Sequence, residues 1–126
     1  MANTVRITIS DIGSSENGVR SACYGPGNGV PNWATVDTNG DVNLNKNGQG
    51  IPDVDLEWTL PSGYLFDSSA PFSVSPNPDG MFSVTSGEGT GTLTVNDGNN
   101  DANQTQYTYT LKLNDGSTLD PKVINH

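Results

Sequence analysis

The chain of 126 residues falls in the usual size range of one domain with its own core, and a single domain spanning 1–126 is expected. Its 14 acidic residues against 5 basic give a formal charge of −9, which argues against nucleic-acid phosphates or an anionic membrane surface as partners. Apolar residues make up 32%, with 15 Gly and 8 Pro, a composition of short strands joined by frequent turns rather than of long helices.

In chain order, residues 4–10 alternate Val5, Ile7 and Ile9 with Arg6, Thr8 and Ser10, the period of two of an opening β-strand. Residues 11–18 read as turn chemistry and 19–24 as a weak second strand, followed by a Gly- and Pro-rich loop over 25–32. Two extended runs, 33–38 and 41–44, flank Asn39-Gly40, so a hairpin is expected there with both turn residues at positive φ. After a polar loop comes the cleanest periodic segment, residues 53–60. There Val54, Leu56, Trp58 and Leu60 alternate with Asp53, Asp55, Glu57 and Thr59, giving an apolar face anchored by Trp58 and a row of carboxylates on the other.

Short strands are then expected at 63–66, 72–75, 81–85 and 91–96, and a longer one at 106–114 carrying Tyr107, Tyr109, Leu111 and Leu113. The closing stretch 117–125 contains Pro121 and reads as an edge strand, where self-association is one expectation. No helical period appears. Eight or nine short strands with turn signals every 8–12 residues give the pattern of an all-β, immunoglobulin-like antiparallel sandwich. Trp58, Phe66, Phe82, Tyr107 and Tyr109 are its expected heavy core members, and Cys23 is expected as a small buried hydrophobe.

Four segments carry a resemblance: Leu56-Glu57-Trp58-Thr59-Leu60, Gly63-Tyr64-Leu65-Phe66, Tyr107-Thr108-Tyr109-Thr110 and the closing Asp120-Pro121-Lys122-Val123-Ile124-Asn125. Together they resemble the DP-EP family of small bacterial proteins of unknown function, over roughly residues 54–125. That resemblance implies a β-sandwich and no established activity.

Candidate sites are few. The loop Asn45-Lys46-Asn47-Gly48-Gln49-Gly50-Ile51-Pro52-Asp53 has the spacing of a calcium loop, with Asn45, Asn47, Gln49 and Asp53 as its ligands. Ca²⁺ favours carboxylates, however, and three of these four are amides, so a plain surface loop is the stronger reading and calcium the only cofactor considered. Exposed aromatics, with Trp33 foremost and Tyr24 and Tyr64 behind it, are the candidates for carbohydrate binding. The row Asp53, Asp55, Glu57 reads as a solvated face, because a catalytic pair needs one carboxyl raised by burial. The one histidine is His126, the last residue given, and the one cysteine is Cys23, so neither a nucleophilic triad nor a zinc or copper site is expected. No apolar run approaches the ~20 residues of a membrane span, and no export signal is evident at the start of the chain, so cytoplasmic location is the default. The function expected is a non-catalytic binding or structural module for a protein partner, with carbohydrate or calcium binding as the alternatives.

Overall fold

A computed structural model describes residues 3–44, 53–75, 82–98, 106–119 and 122–124. Among them there is no helix, and eleven strands form one large, mostly antiparallel sheet, more strands than the eight or nine expected. They are β1 (Asn3–Glu16), β2 (Val19–Pro26), β3 (Thr35–Val36), β4 (Val42–Asn43), β5 (Val54–Thr59), β6 (Phe72–Ser75), β7 (Phe82–Ser86), β8 (Thr92–Asp97), β9 (Gln106–Lys112), β10 (Thr118–Leu119) and β11 (Lys122–Ile124).

The alternation read from the sequence decides which way each strand faces. Val5, Ile7 and Ile9 of β1, Val54, Leu56 and Trp58 of β5, and Tyr109 and Leu111 of β9 are all buried, their neighbours exposed or half-buried. β1 runs on to Glu16, where a turn was expected. Irregularities in its pairing with β2, between Ile9 and Asp11 and between Ile12 and Ser15, shift the inward parity so that Ile12 is buried as well. The turn contracts to Asn17-Gly18 alone.

β1 is central. It pairs antiparallel with β2 and, through residues 3–8, parallel with β5. From β5 the sheet continues through β8 to β7. On the other side β2 meets β10 and, beyond it, β9, whose far edge carries β6. The outermost strands of this curved sheet come together: the rings of Phe72 on β6 and Phe82 on β7 lie 6.1 Å apart, so the sheet is nearly closed into a barrel. Residues 65–71 lace one end, with the Phe66 amide donating to the Thr90 carbonyl and the Asp67 amide to that of Lys112. The expected strand at 63–66 is reduced to a single bridge, Phe66 to Leu113.

The closing stretch is not an edge strand. β10 and β11 lie along the same side of β9 in one register, and each has a second neighbour, β2 for β10 and β4 for β11. The expected edge strand is thus corrected for Thr118–Leu119 and Lys122–Ile124, each of which has a neighbour on both sides.

At the centre, Trp58 and Tyr109 face each other with ring centroids 4.9 Å apart, and Phe72 lies 5.9 Å from both. The Trp58 indole N–H donates to the Tyr109 hydroxyl at 3.0 Å, and that hydroxyl donates to the Gly40 carbonyl at 3.1 Å. Burial of the ring holds the Tyr109 phenol well above its ordinary pKa, so it stays a donor. Of the five expected heavy core members Trp58, Phe66, Phe82 and Tyr109 are buried, while the side chain of Tyr107 lies outside the described set. Cys23 is exposed, contrary to expectation, because β2 turns Tyr24 inward and its neighbour must then face out.

Candidate functional site

The aromatic platform expected at Trp33, Tyr24 and Tyr64 does not form. Trp33 and Tyr24 belong to the core, at 9% and 8% exposure. Trp33 sits in a tight turn closed by the Ala34 amide donating to the Pro31 carbonyl, which tucks a large ring inward where burial stabilises it most. Tyr64 is half-buried, and the Arg20 guanidinium stands 5.9 Å from its ring centre, occupying a face that a sugar would need.

Arg20 itself, unremarked in the sequence, is the hub of the barrel end where residues 114–118 turn. It donates to the Ser117 hydroxyl at 2.8 Å, the Gly13 carbonyl at 2.8 Å and the Asp115 carboxylate at 2.7 Å. Hydrogen bonds from the Ser117 hydroxyl and amide, with Arg20, lower the Asp115 pKa to about 2. Asp67 is lowered by the Ala70 and Ser69 amides and the Ser69 hydroxyl, the geometry of a turn cap. These carboxylates fix backbone.

The acidic row of β5 is likewise tied down. Asp53 is exposed at φ +60°, while Asp55 and Glu57 are half-buried. The Asn96 amide donates to Asp53 at 2.7 Å and to Asp55 at 3.0 Å, and Arg6 lies 3.4 Å from Glu57, which offsets the repulsion within the row. Of the proposed calcium ligands, Asn45, Asn47 and Gln49 lie outside the described residues, and only Asp53 is placed. No group of three or more His, Cys, Asp or Glu side chains suited to a metal converges among the described residues.

A concave surface lies elsewhere, beginning in the Gly- and Pro-rich segment read as a plain loop. A depression of about 420 Å³ is lined by Pro26, Gly27, Val30, Pro31, Asn32, Ala34, Thr35 and Val36. Its lining mixes apolar side chains with polar surface that includes Asn32 and Thr35. It forms because β2 and β3 approach and then part. The Tyr24 amide donates to the Thr38 carbonyl at 3.3 Å, but two residues further along β2 is Pro26, which has no N–H. Pro26 was the sequence signal, legible only once β3 was known to lie opposite.

The described residues form an all-β protein with a shallow recess of mixed lining between β2 and β3. No family model matches the chain, and a search of curated proteins finds none significantly similar in sequence. No helix among the described residues is long and apolar enough to cross a membrane.

Proposed function

We propose that the chain is a non-catalytic binding module for a protein partner, and that the groove between β2 and β3 is its binding surface. The observation that carries this reading is the groove itself, where apolar side chains line a recess beside the outermost strand. The placement of the carboxylates agrees with it: Asp37, Asp67 and Asp115 accept hydrogen bonds from the backbone of their own turns. An immunoglobulin-like layering, with Trp58 on one layer and Tyr109 on the other, and membership of the DP-EP family belong to the same proposal.

The test is a photo-crosslinking residue at Thr35, which is exposed and lines the groove, against the same residue at Ser62 in the turn after β5. A discrete protein adduct from Thr35 and none from Ser62, in lysate of the source cells, is the expected result. Thermal unfolding with calcium against EDTA, and with simple sugars, runs alongside. A ligand at a hundred times its Kd adds ~2.7 kcal/mol; a shift of that order with either would replace the protein partner by that ligand.

A further inference from the structure

Asn-Gly pairs stand at 17–18, 28–29, 39–40 and 47–48, the last outside the described residues. Such a pair carries chemistry of its own. The glycine amide nitrogen, unhindered by a Cβ, attacks the asparagine side-chain carbon Cγ; the nitrogen's proton passes to water or hydroxide, the C–N bond of the side-chain amide breaks, and ammonia leaves a five-membered succinimide. Water then opens the ring at either carbonyl, giving aspartate or an isoaspartate whose main chain runs through the former side chain. Nothing is oxidised or reduced.

The fold decides which pair can close this ring. Closure brings Cβ and the glycine nitrogen nearly into eclipse about the Cα–C bond, which sets the asparagine ψ near −120°, about the value at the first central position of a type II′ turn. At Asn17-Gly18 both φ values are positive, 55° and 84°, and Glu16 pairs with Val19, so the turn is type I′. Rotating the single peptide unit between 17 and 18 converts it to type II′, and either turn joins the same two strands. Among the described residues no hydrogen bond holds the Asn17 carbonyl or the Gly18 amide, the two groups that rotate. Both residues are exposed, and a Cβ built on Gly18 would meet nothing within 4 Å.

The other pairs are restrained. At Asn39-Gly40 the rotating amide is the one that donates to the Asp37 carbonyl at 3.0 Å and closes the turn, Gly40 is buried, and its carbonyl is held by the Tyr109 hydroxyl. At Asn28-Gly29 the rotating carbonyl accepts from the Arg6 guanidinium at 3.4 Å.

We propose that Asn17 is a site of spontaneous modification, converted through a succinimide to isoaspartate, while Asn39 is protected by its turn. Isoaspartate adds one methylene to a two-residue turn, so the Glu16–Val19 pairing shifts and the Gly18 carbonyl leaves the Thr118 amide that donates to it at 2.9 Å. The modification thereby loosens β10 from β2.

The experiment ages the full chain at mildly alkaline pH, folded and in guanidinium chloride, and maps products by trypsin and mass spectrometry with electron-transfer fragmentation, which separates isoaspartate from aspartate. Cleavage after Arg6, Arg20 and Lys46 puts Asn17, the only asparagine of residues 7–20, in a different fragment from Asn39. The two convert at similar rates in guanidinium. In the folded chain Asn39 converts at least about fivefold more slowly than Asn17, the factor set by opening one backbone hydrogen bond. Equal rates in the folded chain, or no conversion at Asn17 while the denatured chain converts, would overturn the assignment. Aspartate as the sole product at 17 would overturn the ring route. Amide exchange at Val19 and Thr118 quickens in the isoaspartyl form and not in Asn17→Asp, which has the same charge on an ordinary backbone; equal exchange in the two would overturn the loosening of β10.

Discussion

Two Asn-Gly turns of the same composition are built in different ways. Asn17-Gly18 joins β1 to β2 with Glu16 paired to Val19, and both residues have positive φ, 55° and 84°. This is the two-residue hairpin turn whose twist matches its strands, and its only distant bonds are accepted at the Gly18 carbonyl, from the Thr118 amide at 2.9 Å and hydroxyl at 3.4 Å. At Asn39-Gly40, where the same geometry was expected, only Gly40 has positive φ, at 84°. The loop is one residue longer, closed by the Gly40 amide donating to the Asp37 carbonyl at 3.0 Å. The Asp37 carboxylate accepts from the amides of Asn39 and Asp41, and Tyr109 reaches the Gly40 carbonyl from the core. One turn takes its shape from its own dipeptide and lends only its last carbonyl to Thr118. The other is held by an aspartate two residues before it and a tyrosine 69 residues away.

The strongest way to break this contrast is Tyr109→Phe. It leaves the Trp58 indole N–H and the Gly40 carbonyl without their buried partner, at a cost of about 2–4 kcal/mol in denaturant unfolding. Amide exchange should quicken at Gly40 and Asp41 and stay unchanged at Gly18; equal quickening at both turns would show that the tyrosine acts only through global stability. Asp37→Ala removes two turn bonds near the surface and should cost about 1 kcal/mol, again loosening only the second hairpin.

Asparagine substitutions sharpen the comparison. Asn17→Ala places alanine in the left-handed region and should cost about 1 kcal/mol, whereas Asn39→Ala, where φ is not positive, should stay within about 0.5 kcal/mol. A cost at Asn39 matching that at Asn17 would contradict the different geometries.

The smallest effect concerns acid. The folded-state pKa of Asp115 is depressed to about 2 by Ser117 and Arg20, so its contribution is present above the unfolded value near 4 and is lost as pH falls toward 2. Asp115→Asn should therefore flatten the dependence of Tm on pH between about 4 and 2 and leave the curve above pH 5 parallel to the parent's. An unchanged slope in the acid limb would assign the acid sensitivity to other carboxylates.

Much of the strand pattern was legible because it depends on local alternation. Val54, Leu56 and Trp58 face in as their period demands, and so do Tyr109 and Leu111. The candidate site was not legible. Trp33, an aromatic beside a Gly- and Pro-rich loop, looks exposed in sequence yet is buried, since which face of a turn meets the core is decided by neighbours distant in the chain. The groove at Pro26 depends on β3 lying opposite β2, a pairing that no local signal encodes.

By itself, then, the sequence determined that this chain is all-β, where most of its strands lie and which of their faces is apolar, because side-chain parity and turn chemistry act over two to four residues. Only the tertiary structure decided that β10 and β11 lie inside the sheet, that Tyr109 fastens a distant hairpin, and that a missing proline donor opens a recess. Each of these depends on which strands become neighbours, and that is settled by closing long loops around a shared core rather than by any short stretch of chain.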